Sequence, residues 1–113
     1  MLRRAQRVTK DLFDEAIQKG RVLHSPLFVV RVLHQAGLGS SRIAAVAPVK
    51  VAKTSVLRHR IRRRIYEAVR PDMTSLTKDH VVIIMAKQTV IAAEFADLKR
   101  AVHDIFVKAG LLR

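Results

Sequence analysis

The sequence lacks several residue types on which whole classes of proteins depend. It has no cysteine, which excludes a disulfide framework, a thiolate metal site and a thiol nucleophile and suits a reducing cytosol. Aromatic residues are few and tryptophan is absent, so any core must be built from Val, Ile, Leu and Ala. No segment approaches the roughly 20 apolar residues that a membrane span needs, and MLRRAQRVTK lacks the apolar run of a signal peptide. We therefore expect a soluble, cytoplasmic protein.

Acidic residues are also scarce. Nine Asp and Glu face 22 Lys and Arg, which gives a net charge of +13. Repulsion among so many positive charges destabilises the compact state unless a polyanion neutralises part of them. Half of the 113 residues are hydrophobic, so the chain is not a disordered basic tail and has enough length for one core. We expect a single RNA-binding domain over residues 1–113.

The periodicity of apolar residues predicts an α-β-β-α-β-α order. A helix is expected over residues 9–19, between a cap at Thr9 and a stop at Gly20. Two strands over residues 26–33 and 41–49 flank a glycine-containing loop, which predicts an antiparallel pair. The run DHVVIIMA at 79–86 is apolar on both faces and predicts a central strand. A last helix ends at Gly110, and residues 21–25 are a possible extra short strand.

The stretch SVLRHRIRRRIYEAVR at 55–70 combines a helical core pattern with six arginines. Its apolar residues fall on one side of a helix that Pro71 closes, and they are Leu57, Ile61, Ile65, Ala68 and Val69. Residues 50–64 hold seven basic residues and no acid, and only Arg63 has an acid four positions later, Glu67. Because a guanidinium forks onto phosphate oxygens and stacks on bases, this pattern favours binding to RNA.

The same stretch resembles the arginine-rich signature of the bacterial ribonuclease P protein component, and here it reads RHRIRRRIYEAVR. The similarity extends over nearly the whole chain. DLFDEAIQKGR resembles the first helix of that family, SPLFVVRVL and SRIAAVAPVK its first two main strands, DHVVIIMAK the strand after the basic helix, and AGLL its closing segment. The order, the spacing and the length of these segments all agree with the family.

The resemblance implies a two-layer α/β sandwich with a four-stranded mixed sheet and an unusual left-handed βαβ crossover through the arginine helix. It also implies the protein subunit of an endoribonuclease that removes the 5′ leader from precursor tRNA. In that enzyme the catalytic RNA, paired with the protein at about 1:1, performs the hydrolysis with Mg²⁺. We expect no cofactor on the protein alone, no membrane and no small-molecule substrate.

Two sets of site residues follow. The predicted RNA-binding residues are Arg7, Lys50, Lys53, Arg58, His59, Arg60, Arg62, Arg63, Arg64 and Arg70, and Arg3 and Arg4 would extend this surface. The family's leader cleft implies base stacking beside Phe13, with Ile17 one turn later where an aromatic residue is usual. The chain also departs from the family at His59, where the signature has Asn, and at Pro48-Val49-Lys50, where Ser-Lys-Lys is usual.

The residues show no protein active site. The acids lie mostly on polar helix faces, and the five histidines follow no metal-ligand spacing. A two-metal nuclease needs several converging carboxylates. Three alternatives remain: a ribosomal or other structural RNA-binding protein, a nuclease that acts without RNA, and, more weakly, a DNA-architectural protein. Co-purification with ribosomal subunits would identify the first, and unaided cleavage of precursor tRNA the second.

Overall fold

The computed structural model describes residues 7 to 112, and its elements follow the predicted order. The helices are α1 (Lys10–Lys19), α2 (Ser55–Val69) and α3 (Phe95–Lys108), and the strands are β1 (Arg21–His24), β2 (Phe28–His34), β3 (Arg42–Val46) and β4 (His80–Ala86). Two 3-10 segments, Arg70–Ser75 and Gln88–Val90, flank β4. The predicted cap is confirmed, since the Thr9 hydroxyl accepts a hydrogen bond from the Leu12 N–H at 3.4 Å. The short extra strand is confirmed as β1.

The four strands form one mixed sheet in the order β1-β2-β4-β3. β4 is central, as predicted, and pairs antiparallel with β2 and parallel with β3. The predicted antiparallel pair of the segments at 26–33 and 41–49 is wrong, because β4 lies between β2 and β3 and β2 instead forms a hairpin with β1. The physical reason is burial: β4 is apolar on both faces, so the interior of the sheet is its most favourable place. The left-handed sense of the β3-α2-β4 crossover stays a prediction.

Helices cover both faces of this sheet instead of one. On the first face α1 packs through Ala16 against Val81 and Ile83 of β4. On the second face α2 and α3 pack on the alternate residues of the strands, among them Phe28, Val82 and Ile84. A four-stranded mixed sheet packed with three helices therefore agrees with the predicted α/β class.

The apolar side of α2 faces the core, as its sequence pattern predicted. Ile61, Ile65, Ala68 and Val69 are buried, and Leu57 is partly buried against the same core. The N-cap of α2 is Thr54, whose hydroxyl accepts a hydrogen bond from the Leu57 N–H at 3.2 Å. The helix therefore keeps its apolar stripe on the sheet and directs its arginines to its margins and outer side.

Candidate nucleic-acid interface

The outer side of α2 carries the exposed part of the predicted basic surface. His59, Arg60 and Arg63 are exposed, and Arg62 is half-buried. Among residues 7 to 112, none of the four forms an ion pair. The charge of the three arginines is therefore not neutralised by an acid within this part of the chain, which leaves it available to phosphate groups.

Two of the predicted RNA-binding arginines also donate hydrogen bonds to backbone carbonyl oxygens of the protein itself. Arg58 donates from Nη1 to the carbonyl oxygens of Ala52 and Lys53, each at 3.0 Å. Arg64 donates from Nη2 to the carbonyl oxygen of Ala93 at 2.6 Å and from Nη1 to that of Val90 at 3.4 Å. A guanidinium has five N–H donors, so each arginine can fasten a neighbouring segment and still present donors to RNA. The sequence did not indicate this structural role.

Glu67, the one acid within α2, forms an ion pair with Arg70 and not with Arg63. Its carboxylate lies 3.3 Å from Arg70 in an i,i+3 pair, whereas the sequence spacing had indicated an i,i+4 pair with Arg63. Both side chains are more than half exposed, so the pair contributes little to stability. The charge of Arg70, which is one of the predicted RNA-binding residues, is thus partly neutralised by Glu67.

A hollow of about 520 Å³ lies along α2, lined by His59, Arg62, Arg63, Tyr66 and Glu67. The Tyr66 hydroxyl oxygen accepts a hydrogen bond from the backbone N–H of Ala45 in the edge strand β3, at 3.1 Å. Tyr66 was not among the predicted site residues. The sequence did contain a signal for it, because the single tyrosine of the chain stands in the arginine-rich stretch. A tyrosine there offers both an apolar ring and a polar end.

A second concave region, which we call the sheet cleft, lies on the face of the sheet that α1 covers in part. It has a volume of about 410 Å³, and its lining includes Val29, Arg31, Lys50, Met85 and Lys87. Val29 and Met85 are paired neighbours on β2 and β4 and supply apolar surface. Arg31, Lys50 and Lys87 supply positive charge. An apolar floor with cationic walls is suited to a single strand of nucleic acid, whose bases and phosphates need both.

The sheet cleft is joined to α1 through Arg31. Its Nη1 donates to the carbonyl oxygen of Ile17 at 2.8 Å, which satisfies one of the free carbonyls at the end of that helix. The Nε of Arg31 is buried without a hydrogen-bond partner in the described part of the chain. Arg31 and Lys87 were missed by the sequence analysis, although an arginine inside the apolar run FVVRVL was a usable signal.

The two predicted cleft residues, Phe13 and Ile17, lie on the same face of the sheet as the sheet cleft but not in its lining. Phe13 and Ile17 are half-buried and pack with Val81 and Ile83 under α1. Ile17 is linked to the sheet cleft by its backbone carbonyl oxygen, which accepts a hydrogen bond from the cleft residue Arg31. Phe13 therefore belongs chiefly to the packing of α1.

The remaining predicted residues border these two surfaces. Lys50 and Lys53 are exposed in the segment between β3 and α2, and Lys50 also lines the sheet cleft. Arg7 is exposed and forms a parallel bridge with Ile43 at the free edge of β3. Arg3 and Arg4 lie outside the described residues.

The described residues contain no cluster of potential metal ligands. Within residues 7 to 112, no group of three or more His, Asp or Glu side chains could hold a metal ion. A close His–carboxylate contact joins His103 Nδ1 to Asp72 Oδ2 at 3.0 Å, and it links α3 to the 3-10 segment after α2. No helix in this part of the chain is long and apolar enough to cross a membrane.

Comparisons with known proteins agree on one family. The family model described as Ribonuclease P matches residues 2–110. The ribonuclease P protein component of Symbiobacterium thermophilum is 30% identical over 99% of this chain and 97% of its own length. That of Clostridium acetobutylicum is 31% identical, covering 88% of this chain and 84% of its own length.

The fold agrees as well. A solved structure of the Staphylococcus aureus RNase P protein superposes with a TM-score of 0.84 over 96% of this chain and 98% of that one, at 19% identity. The RNase P protein from Thermotoga maritima gives a TM-score of 0.76 over 88% of this chain and 93% of that one, at 18% identity. The basic helix, the mixed sheet and the sequence match over nearly the full length identify this chain as a member of the ribonuclease P protein family.

Proposed function

We propose that this chain, as the protein subunit of a ribonuclease P, binds the catalytic RNA at about 1:1 through α2 and binds the 5′ leader of precursor tRNA in the sheet cleft. The observation that carries the proposal is the separation of two basic surfaces. One is the outer side of α2, where Arg60, Arg62 and Arg63 form no ion pair with any described residue, and the other is a cleft with an apolar floor on the opposite face of the sheet.

The outer side of α2 fits a structured RNA. Arg60 and Arg63 are exposed and are not ion-paired with any described residue. Each phosphate that such a side chain neutralises releases counterions, which drives association. Lys50 and Lys53, just before the helix, extend the same charge toward the sheet cleft. The exposed arginines and the hollow beside them offer several contacts to the phosphate backbone of a folded RNA.

The sheet cleft fits an unpaired strand. Val29 and Met85 provide an apolar floor, while Arg31, Lys50 and Lys87 surround it with positive charge. A duplex is too wide and too polar at its surface to use such a floor, whereas the exposed bases of a leader can lie on it. Binding of the leader would favour precursor over mature tRNA.

Hydrolysis would be performed by the RNA, whose bound Mg²⁺ would supply Lewis-acid chemistry. The residues of this chain would hold the two RNAs together by reducing the repulsion between their phosphates. The absence of a cluster of potential metal ligands in residues 7 to 112 is compatible with this division of labour. Since precursor tRNA is the proposed substrate, we place the protein in the cytoplasm.

The experiment that tests the proposal is to purify the protein from its own cells and sequence the RNA bound to it. We expect one large catalytic RNA, with precursor tRNAs enriched over mature ones. Ribosomal RNA in place of that RNA would contradict the proposal and favour the structural RNA-binding alternative, which the family match disfavours.

A further inference from the structure

An exposed apolar patch lies at the start of α3. Ile91 and Phe95 are 42% and 43% exposed, respectively. Phe95 comes three residues before Leu98 and seven before Val102, both fully buried, so it continues the core stripe of α3 along the same side of the helix. Its ring therefore extends the apolar side of α3 past the edge of the core into solvent.

Arg64 fastens this patch to the arginine helix. Its guanidinium binds the carbonyl oxygens of Val90 and Ala93, at 3.4 and 2.6 Å. These two residues bracket Ile91 and precede Phe95 by only a few positions. The patch therefore lies along the margin of α2 that bears Arg64.

The surroundings of the patch are mainly positive. Arg60 is one turn before Arg64 on the same margin of α2, and Lys99 is one turn after Phe95 on α3. Both are exposed, and neither is ion-paired with another residue in the range 7–112. Of the nearby acids, Asp97 lies 4.0 Å from Arg100, and Glu94 is exposed at the N-cap of α3.

We propose that Phe95 is a stacking platform for an unpaired base of the catalytic RNA, with Ile91 beside it and with Arg60 and Lys99 holding the flanking phosphates. This inference rests on the proposed function. An exposed aromatic ring between cations is the arrangement that binds single-stranded nucleotides, because the ring takes the base and the cations take the backbone. A protein partner is less suited, since Ile91 and Phe95 are the only large apolar side chains exposed in this patch and Arg60 and Lys99 are exposed nearby.

The first experiment uses Phe95→Trp as a fluorescent reporter. The chain has no tryptophan, so the emission of this variant reports on one position. We expect the emission to be quenched as the cognate catalytic RNA saturates the protein. Val107→Trp is the matched control, because Val107 is 57% exposed on the same helix but lies about three turns along α3 and about 120° around it from Phe95, and we expect no quenching there.

The second experiment measures the affinity of Phe95→Ala for the same RNA by fluorescence anisotropy of labelled RNA. We expect the affinity to fall at least about fivefold, the lower end for base stacking on an aromatic ring. The slope of log affinity against log salt should stay unchanged, because phenylalanine carries no charge. A thermal melt of Phe95→Ala verifies that the variant is folded.

The failure of this inference can be distinguished from failure of the proposed function. If the parent protein does not bind the RNA at all, the proposed function fails. If the RNA binds but Phe95→Trp is not quenched, or Phe95→Ala retains parental affinity, the stacking platform is wrong. If sedimentation without RNA shows that Phe95→Ala abolishes self-association while RNA affinity is unchanged, the patch is a contact between copies of the protein.

Discussion

The hydroxyl oxygen of Tyr66 accepts a hydrogen bond from the backbone N–H of Ala45 at 3.1 Å, which joins the arginine helix α2 to the edge strand β3. Ala45 is 6% exposed, and its N–H points away from β4, so it depends on Tyr66 for a partner. The contact fixes how α2 sits along the sheet. It therefore sets where the neighbouring arginines present their charge.

Replacement of Tyr66 by Phe removes this acceptor and keeps the ring. We expect the free energy of unfolding to fall by about 1 to 3 kcal/mol, the cost of leaving a buried donor unsatisfied. Chemical denaturation of Tyr66→Phe beside the parent measures the effect. A variant as stable as the parent would mean that water replaces the tyrosine at Ala45.

Replacement of Ile61 by Ala tests the orientation of α2. Ile61 is 2% exposed, so the truncation should leave a cavity and cost roughly 2 to 5 kcal/mol of stability. The control is Val56→Ala on the same helix, which should change stability little because Val56 is 69% exposed. Equal stability of the two variants, measured by denaturation, would show that the wrong side of the helix has been assigned to the core.

Replacement of Arg60 by Ala tests the basic surface. If Arg60 contacts one phosphate of the catalytic RNA, the affinity should fall and the log–log salt slope should flatten by about 0.7 to 0.9. Lys108→Ala is the control, since Lys108 is exposed at the far end of α3, and its slope should equal that of the parent. An unchanged slope for Arg60→Ala would remove Arg60 from the interface.

Replacement of Met85 by Ala tests the sheet cleft. Met85 lies on its floor between β2 and β3, so the truncation should reduce the preference for precursor over mature tRNA. Met85→Leu keeps the apolar surface at nearly the same volume and should retain the preference. The measurement is the ratio of the two Kd values in the holoenzyme. A parental ratio for Met85→Ala would exclude the cleft from leader binding.

Phe13→Ala was expected from the sequence to reduce the same preference. Because Phe13 packs with Val81 and Ile83 under α1, we now expect a loss of stability as well. The loss should be smaller than the roughly 3 to 5 kcal/mol of a fully buried phenylalanine. The loss of stability is measured by denaturation, and the preference for precursor over mature tRNA by the ratio of the two Kd values. Both measurements are made on Phe13→Ala and on Met85→Ala, so that the two effects are compared separately.

The sequence was sufficient for features that depend on local periodicity. The buried positions of α2, from Ile61 to Val69, and the central place of β4 were predicted because each is a repeating pattern within one segment. The antiparallel pair of β2 and β3 was wrong for the opposite reason. Sequence proximity favoured a hairpin, whereas the burial of both faces of β4 separates the two strands.

The site was only partly predictable from the sequence. The cluster of arginines was visible because its members are close in the chain. The binding of Arg64 to Val90 and Ala93 was not, because it joins residues far apart in sequence. A leader cleft on the sheet was predicted, but Arg31 and Lys87 in its lining were missed for the same reason, since they lie in segments far from the cluster of arginines.

The central claim is that the RNA performs the cleavage and that the protein supplies charge and substrate choice. The most direct test is cleavage of precursor tRNA over a range of Mg²⁺ concentrations by protein alone, by the cognate RNA alone and by both together. We expect the protein alone to leave precursor tRNA intact, and the two together to cut at the 5′ end at lower Mg²⁺ than the RNA alone requires, because the protein provides part of the counter-charge. Cleavage by RNA-free protein that is abolished by a single substitution such as His103→Ala or Asp72→Asn would contradict the account.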